Sequence, residues 1–301
     1  VSPDPAASVR QRLLNLAKDS GEPFQRVLDR FVLERFLYRL ATSRHAGVFA
    51  LKGAALYYLW NEVAPRPTRD LDLLSWGEPD IPSMEDVFRE ICQVGCPEDA
   101  LLFDPDSVQG SRIREDNPYQ GVRMQVRGRL GTARVNLQVD IGFGDAVEPP
   151  LVEAAYPTLL GHPAPQVRAY RWETAIAEKL HTMVYLGLDN SRAKDYFDLW
   201  HLARDHAFEG ESLARAIGAT FSRRTMPWPT GLPEGLSDRF GLDPLKQSQW
   251  QAFLRKSGVT GAPSLPDVIQ EIRGFLHPIL DSGPQDGGGL GRWSNGQWSK
   301  P

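Results

Sequence analysis

The chain has 301 residues, 41% hydrophobic and 24% charged, with a net charge of −4, the profile of a globular protein with room for one large domain or two ordinary ones. No stretch approaches the roughly 20 apolar residues of a membrane helix, and the N-terminal VSPDPAASVRQRLLNLAKDSG has no signal-peptide core, so the expectation is a cytoplasmic protein without membrane contact. The small negative charge excludes a global field for nucleic acid and leaves room only for a local one.

Residues 1–8 are rich in Pro, Asp and Ala and are expected to fray. From residue 9 to about 43, Leu13, Leu16, Val27, Leu28, Phe31, Val32, Phe36, Leu37 and Leu40 recur at helical spacing, which predicts two helices broken near Ser20-Gly21-Glu22-Pro23. Residues 48–51 read as a strand, 53–61 as a helix and 70–74 as a second strand. A helix over 83–94 follows, with Ser83 as its cap and Glu85-Asp86 in its first turn. Cys92 and Cys96 are the 2 cysteines. With no further Cys or matching His pair, they read as reduced thiols rather than zinc ligands.

Residues 101–145 read as β structure, in short alternating segments separated by Gly and Asn-Pro signals. The segment 133–141 (ARVNLQVDI) puts Val135, Leu137, Val139 and Ile141 on one face and Asn136, Gln138 and Asp140 on the other. Arg112, Arg114, Arg123, Arg127, Arg129 and Arg134 crowd this region with few acids. Those sharing a face could meet phosphates, or be solvated arginines on a hairpin. After a Pro-containing connection over 150–169, helix signals dominate: 172–186 is amphipathic, and 211–224 and 264–280 read as helices around an irregular Pro/Gly-rich stretch. Asp195 and Asp198, at i and i+3, share a helix face just after Arg192 and Lys194. With a Lys from the preceding helix they could clamp phosphate and metal; a solvated charged face is the plain alternative. Residues 285–301 carry no core pattern and read as a flexible tail.

The chemistry concentrates between Leu51 and Asp72, LKGAALYYLWNEVAPRPTRDLD. Asp70 and Asp72, at i and i+2 on a strand, point to one face. Two carboxylates in apolar surroundings repel each other, and a divalent cation relieves them; Mg²⁺ is commonly held by one or two carboxylates plus substrate phosphates. The Gly53-Ala54 step lets a phosphate approach the backbone. Two exposed Asp on an edge strand would explain D-x-D alone. The ordered set of small-residue turn, helix and D-x-D on a strand favours a metal–nucleotide site. Asp140, at a strand end, could complete that site, act as a base, or simply face solvent.

Five motifs in order resemble the AbiEii/AbiGii toxin family of nucleotidyltransferases, within the polymerase-β-like superfamily, over roughly residues 31–204. They are LKGAAL from Leu51, RPTRDLD from Arg66, LQVDIGFGD from Leu137, AEKL from Ala177 and SRAKDYFDL from Ser191. The resemblance implies an α+β fold: a mixed β-sheet core flanked by helices over 1–150, a mainly helical part over 151–284, and the tail over 285–301. It implies an Mg²⁺-dependent enzyme of a toxin–antitoxin or abortive-infection system, moving NMP from an NTP to an acceptor such as the tRNA 3′ end. A DNA-binding antitoxin is the implied partner.

By motif position the resemblance makes Asp70, Asp72, Lys179, Asp195 and Asp140 the catalytic set, with Asp70, Asp72 and Asp140 on the metal. Lys52, Gly53, Ala54, Arg69, Lys194 and Asp198 fall to the nucleotide. Ala54 departs from the Gly or Ser of many superfamily members and offers only its backbone. Two other readings compete: a small-molecule nucleotidyltransferase of the aminoglycoside-modifying type, and a non-catalytic nucleotide-binding protein.

Overall fold

The computed structural model describes residues 4–60, 64–113, 121–284 and 289–299. The chain divides into two compact units, Val1–Gly144 with Val152–Ala169, and Asp145–Leu151 with Tyr170–Pro301. The α+β class expected from the sequence is the class observed.

The first unit opens with two helices, α1 (Pro5–Ser20) and α2 (Phe24–Thr42). Helix α1 starts earlier than the expected fraying allows, because Asp4 accepts a hydrogen bond from the Ala6 amide at 3.0 Å and Pro5 occupies the first turn. Gly21, at φ 68°, closes it. The unit continues through β1 (Phe49–Lys52), a single turn at Gly53–Ala55, α3 (Leu56–Trp60), β2 (Asp70–Ser75), α4 (Ile81–Gln93), β3 (Leu101–Phe103) and β4 (Gln109–Ile113). It closes with β5 (Gly121–Leu130), β6 (Ala133–Phe143), β7 (Val152–Ala155) and β8 (Gln166–Ala169). The helix expected over 53–61 is thus a tight turn followed by a short helix, and Asn61 and Arg114 lie outside the described residues. Helix α4 is capped by Asp80, whose carboxylate accepts from the Ser83 amide at 3.0 Å, and not by Ser83; Pro82 in its first turn sets the earlier start.

Among the described residues the sheet of this unit runs β3-β5-β6-β2-β1-β8-β7, with β4 also paired to β5. The pairs β2–β6 and β1–β8 are parallel and the rest antiparallel. Strands β7 and β8 replace the expected connection over 150–169. They are four residues each, too short for alternation to show. One face of β5–β6, from Val122, Met124 and Val126 to Val135, Leu137 and Val139, is buried. Helix α2 packs against β6 and α4, and its Phe36 meets Phe88 of α4 and Phe103 of β3 at ring distances of 5.4 and 5.5 Å. Beneath α2, Asp99 is gripped by Arg35 at 2.8 Å and Arg39 at 2.7 Å, all buried. Burial works to raise the Asp99 carboxyl, and Arg39 and Arg35 hold it below its usual range.

The second unit is mainly helical: α5 (Trp172–Leu186), α6 (Ala193–Asp205), β9 (Phe208–Glu209), α7 (Gly210–Arg223), α8 (Asp238–Leu242), α9 (Pro244–Ser257) and α10 (Leu265–Ser282). Two further strands, β10 (Arg292–Ser294) and β11 (Gln297–Trp298), correct the pattern-free tail. They pair with each other and with β9. Trp293 is buried 4.9 Å from the Phe275 ring and donates to the Ala203 carbonyl at 2.6 Å. Two tryptophans on two short strands seal this end of the unit, a signal too brief to register as periodicity.

Candidate functional site

Strand β1 ends at Lys52, and the chain turns sharply at Gly53, whose φ of +68° suits glycine. Strand β2 runs antiparallel to β1 with Lys52 opposite Asp72. Leu71 and Leu73 are buried, and the alternation turns Asp70 and Asp72 together to the other face; Asp70 is exposed and Asp72 half-buried. A methyl group on Gly53 would overlap Asp72 Oδ2 and stand 2.6 Å from its Cγ. The space left by the missing side chain is therefore filled by the Asp72 carboxylate.

Parallel pairing sets Asp140 of β6 beside Asp72, and Gln138 beside Asp70. On β5, Arg123 lies opposite Asp140 and grips it as a fork, Nε to Oδ1 at 2.8 Å and Nη2 to Oδ2 at 2.7 Å. Lys52, Asp72, Asp140 and Arg123 thus form one row across four strands, in which flanking cations offset two neighbouring carboxylates. Ala54 is buried behind the turn. Arg69 is largely exposed, with Nε 3.6 Å from Asp29 of α2.

Among the described residues no three His, Cys, Asp or Glu groups gather to hold a metal unaided. Asp70 and Asp72 share a face, and Gly53 leaves room for the Asp72 carboxylate, which fits an ion completed by substrate phosphates. Asp140, beside Asp72 in register, accepts one Arg123 bond on each oxygen, and each oxygen keeps a further lone pair.

In the second unit, Lys179 of α5 donates to Asp195 at 2.9 Å and Asp198 at 2.8 Å, both on α6. Arg192 Nε adds a 2.6 Å bond to Asp195. The two carboxylates are 1% and 0% exposed, so the solvated-face alternative fails. Burial works to raise the Asp195 carboxyl, but Lys179, Arg192 and Lys194 hold it far below the usual carboxylate range. Lys194 itself is exposed.

Sequence reading missed two pairings. Arg123–Asp140 depends on strand register, which the alternation of 133–141 suggests on one side only. Arg224–Asp145, at 2.9 Å and nearly buried, joins positions far apart in the chain, and Arg224 Nη1 also lies 3.2 Å from His181 Nδ1. Burial, then Arg224, pushes His181 down to about 4. A surface cleft of about 340 Å³ between α8 and α10 is lined by none of these residues.

No curated protein matches the chain. Two solved structures from Helicobacter pylori resemble it. One is JHP933, with 17% identity, 85% of this chain and 92% of that chain covered, and a TM-score of 0.49. The other is a candidate nucleotidyltransferase, with 16% identity, 85% and 95% covered, and a TM-score of 0.47. Among the described residues no helix is long and apolar enough to cross a membrane. The model of the nucleotidyl transferase AbiEii toxin family, of type IV toxin–antitoxin systems, matches residues 35–271, and the chain belongs to that family of nucleotidyltransferases.

Proposed function

We propose that the protein transfers a nucleoside monophosphate from an NTP to an RNA acceptor, the 3′ end of a tRNA, in an Mg²⁺-dependent reaction, and that its partner is a DNA-binding antitoxin. The observation that carries the reading is the Asp70–Asp72 pair over the Gly53 turn. Asp70 and Asp72 would hold the cation, which when bound offsets the charge of the triphosphate and of the departing pyrophosphate. In this reading the backbone amides of the Gly53–Ala54 turn, with Lys52, receive the phosphates. The acceptor hydroxyl oxygen forms a bond to the α-phosphorus, the bond to the bridging oxygen breaks, and pyrophosphate leaves. Asp140 keeps its two bonds to Arg123 and orders the row beside Asp72, and the hydroxyl proton passes to solvent. In the second unit, Lys179, Asp195 and Asp198 first of all join α5 to α6.

The test is transfer of α-³²P label from each of the four NTPs to bulk bacterial RNA with Mg²⁺, alongside Asp70→Asn/Asp72→Asn. Label on a tRNA-sized band, lost in the double variant while its melting stays unchanged, is the expected result. Full labelling by the folded double variant removes the mechanism. NTP binding without label on RNA moves the acceptor to a small molecule or the protein to a non-catalytic role.

A further inference from the structure

The outer face of the β5–β6 hairpin is unlike the rest of this acidic protein. Alternation turns Arg123, Gln125, Arg127 and Arg129 of β5 outward, opposite Asp140, Gln138, Asn136 and Arg134 of β6. The reverse face is the apolar one buried under the helices. Arg112 pairs with Val122 in register and so falls outside this outward row. Asp140 is the single carboxylate contributed by β5 and β6 here, and Arg123 already holds it. Arg127, Arg129 and Arg134 are exposed, and among the described residues no carboxylate pairs with them.

Arg129 and Arg134 stand directly opposite each other. Like charges in that position are destabilising, and among the described residues no carboxylate pairs with either arginine. The net charge of −4 makes the arginine cluster a local feature that bulk composition does not supply. The face is also continuous with the carboxylate pair: Asp70 is in register with Gln138, Gln138 with Gln125, and Gln125 with Gln109. From that amide row, Asn136 with Arg127 and then Arg134 with Arg129 follow at steps of about 7 Å along the strands.

We infer that this face is a docking track for the phosphodiester backbone of the RNA acceptor, whose terminal hydroxyl reaches Asp70 and Asp72. The inference rests on the RNA reading proposed above. Arg127, Arg129 and Arg134 meet successive phosphates, and the amides of Gln125, Gln138 and Asn136 offer donors and acceptors to riboses and base edges. The carboxylates at one end and the arginines along the hairpin divide the labour between chemistry and placement.

The test measures binding separately from transfer. Fluorescein-labelled bulk tRNA is titrated with the full chain at several NaCl concentrations, and the proteins compared are the parent, Arg127→Gln/Arg129→Gln/Arg134→Gln, the corresponding triple Lys variant, and Asp70→Asn/Asp72→Asn. The Gln variant is expected to bind at least about tenfold more weakly and to lose roughly two to three units of the slope of log affinity against log salt, about one per phosphate contact. The Lys variant restores most of that slope. The carboxylate variant binds like the parent while transferring nothing, so failure of the transfer chemistry and failure of the track are read separately. A Gln variant with parental affinity and slope overturns the track, even if transfer to RNA is confirmed. Poly-L-glutamate that binds the parent as tightly as tRNA does, again through the three arginines, overturns the RNA assignment in favour of an acidic protein segment.

Discussion

At Gly53 one methyl group decides whether the Asp72 carboxylate can keep its place. Two effects coincide there: a left-handed backbone that costs an L-residue roughly 1–2 kcal/mol, and a Cβ position overlapping the Asp72 carboxylate. The atom in the way belongs to a side chain that can rotate, so the fold can absorb Gly53→Ala while the carboxylate cannot stay in place. The expected outcome is a small fall in melting temperature with a loss of transfer on the order of 100-fold, the scale of an ångström-sized misplacement of a reacting group. Assaying transfer and NTP binding together with a melting curve checks this. An alanine variant with parental transfer would show that the position of Asp72 does not matter. Gly53, Asp70 and Asp72 were legible because each carries its own local signal, a small residue at a turn or a carboxylate at period two. Arg123 was not, because the fork to Asp140 exists only once the β5–β6 register is set, and neither strand alone specifies it.

Helices α5 and α6 are joined by charge at a point where helices usually meet through apolar contacts. Removing Lys179 as Lys179→Met would take a bonded cation from both buried carboxylates, with Arg192 still bonded to Asp195, and breaking a buried ion pair on one side costs about 3–5 kcal/mol. The expected outcome is a large loss of thermal stability in the single variant and substantial recovery in Lys179→Met/Asp195→Asn/Asp198→Asn, where the repulsion is gone. If the single variant melts like the parent, the cluster does not hold the helices together. If the triple variant is stable yet inactive, the cluster has a role in transfer beyond that one. The cluster was visible in the sequence as a Lys on one amphipathic helix and an i, i+3 carboxylate pair on the next. Helix α9 was overlooked although Asp243, Pro244 and Gly258 mark its ends, because Trp250 and Leu254 are its only buried apolar residues and leave no stripe to read. Strands β7, β8, β10 and β11 escaped for want of length: two to four residues do not establish a period.

Over the whole molecule, two buried titrating groups act in opposite senses, one in each unit. Glu34 of α2 is 0% exposed and accepts from the Leu159 amide at 2.8 Å with Oε2, while Oε1 has no partner among the described residues. Burial pushes its carboxyl up to about 7. Between its ordinary value near 4.5 and 7 the folded state binds the extra proton, so Glu34 makes the first unit less stable as pH rises. His181, pushed down to about 4 from 6.5, does the reverse: the unfolded state binds the extra proton, and the second unit gains stability as pH rises through that window. Each effect is worth roughly 3 kcal/mol from the size of its shift. Between pH 5 and 7 these two slopes oppose each other, and His162, His201 and His206, also pushed down by burial, add to the rise of stability with pH. Glu34→Gln mimics the protonated acid and removes one of the two slopes. In calorimetry at pH 5.0 and 7.5 the variant should melt higher than the parent at the upper pH and show a stability that rises more steeply with pH, the contribution of His181 together with His162, His201 and His206, which burial also pushes down. A Glu34→Gln protein with the same pH profile as the parent would mean that Glu34 reaches solvent or a partner when ionised, and that its orphaned oxygen is satisfied at neutral pH.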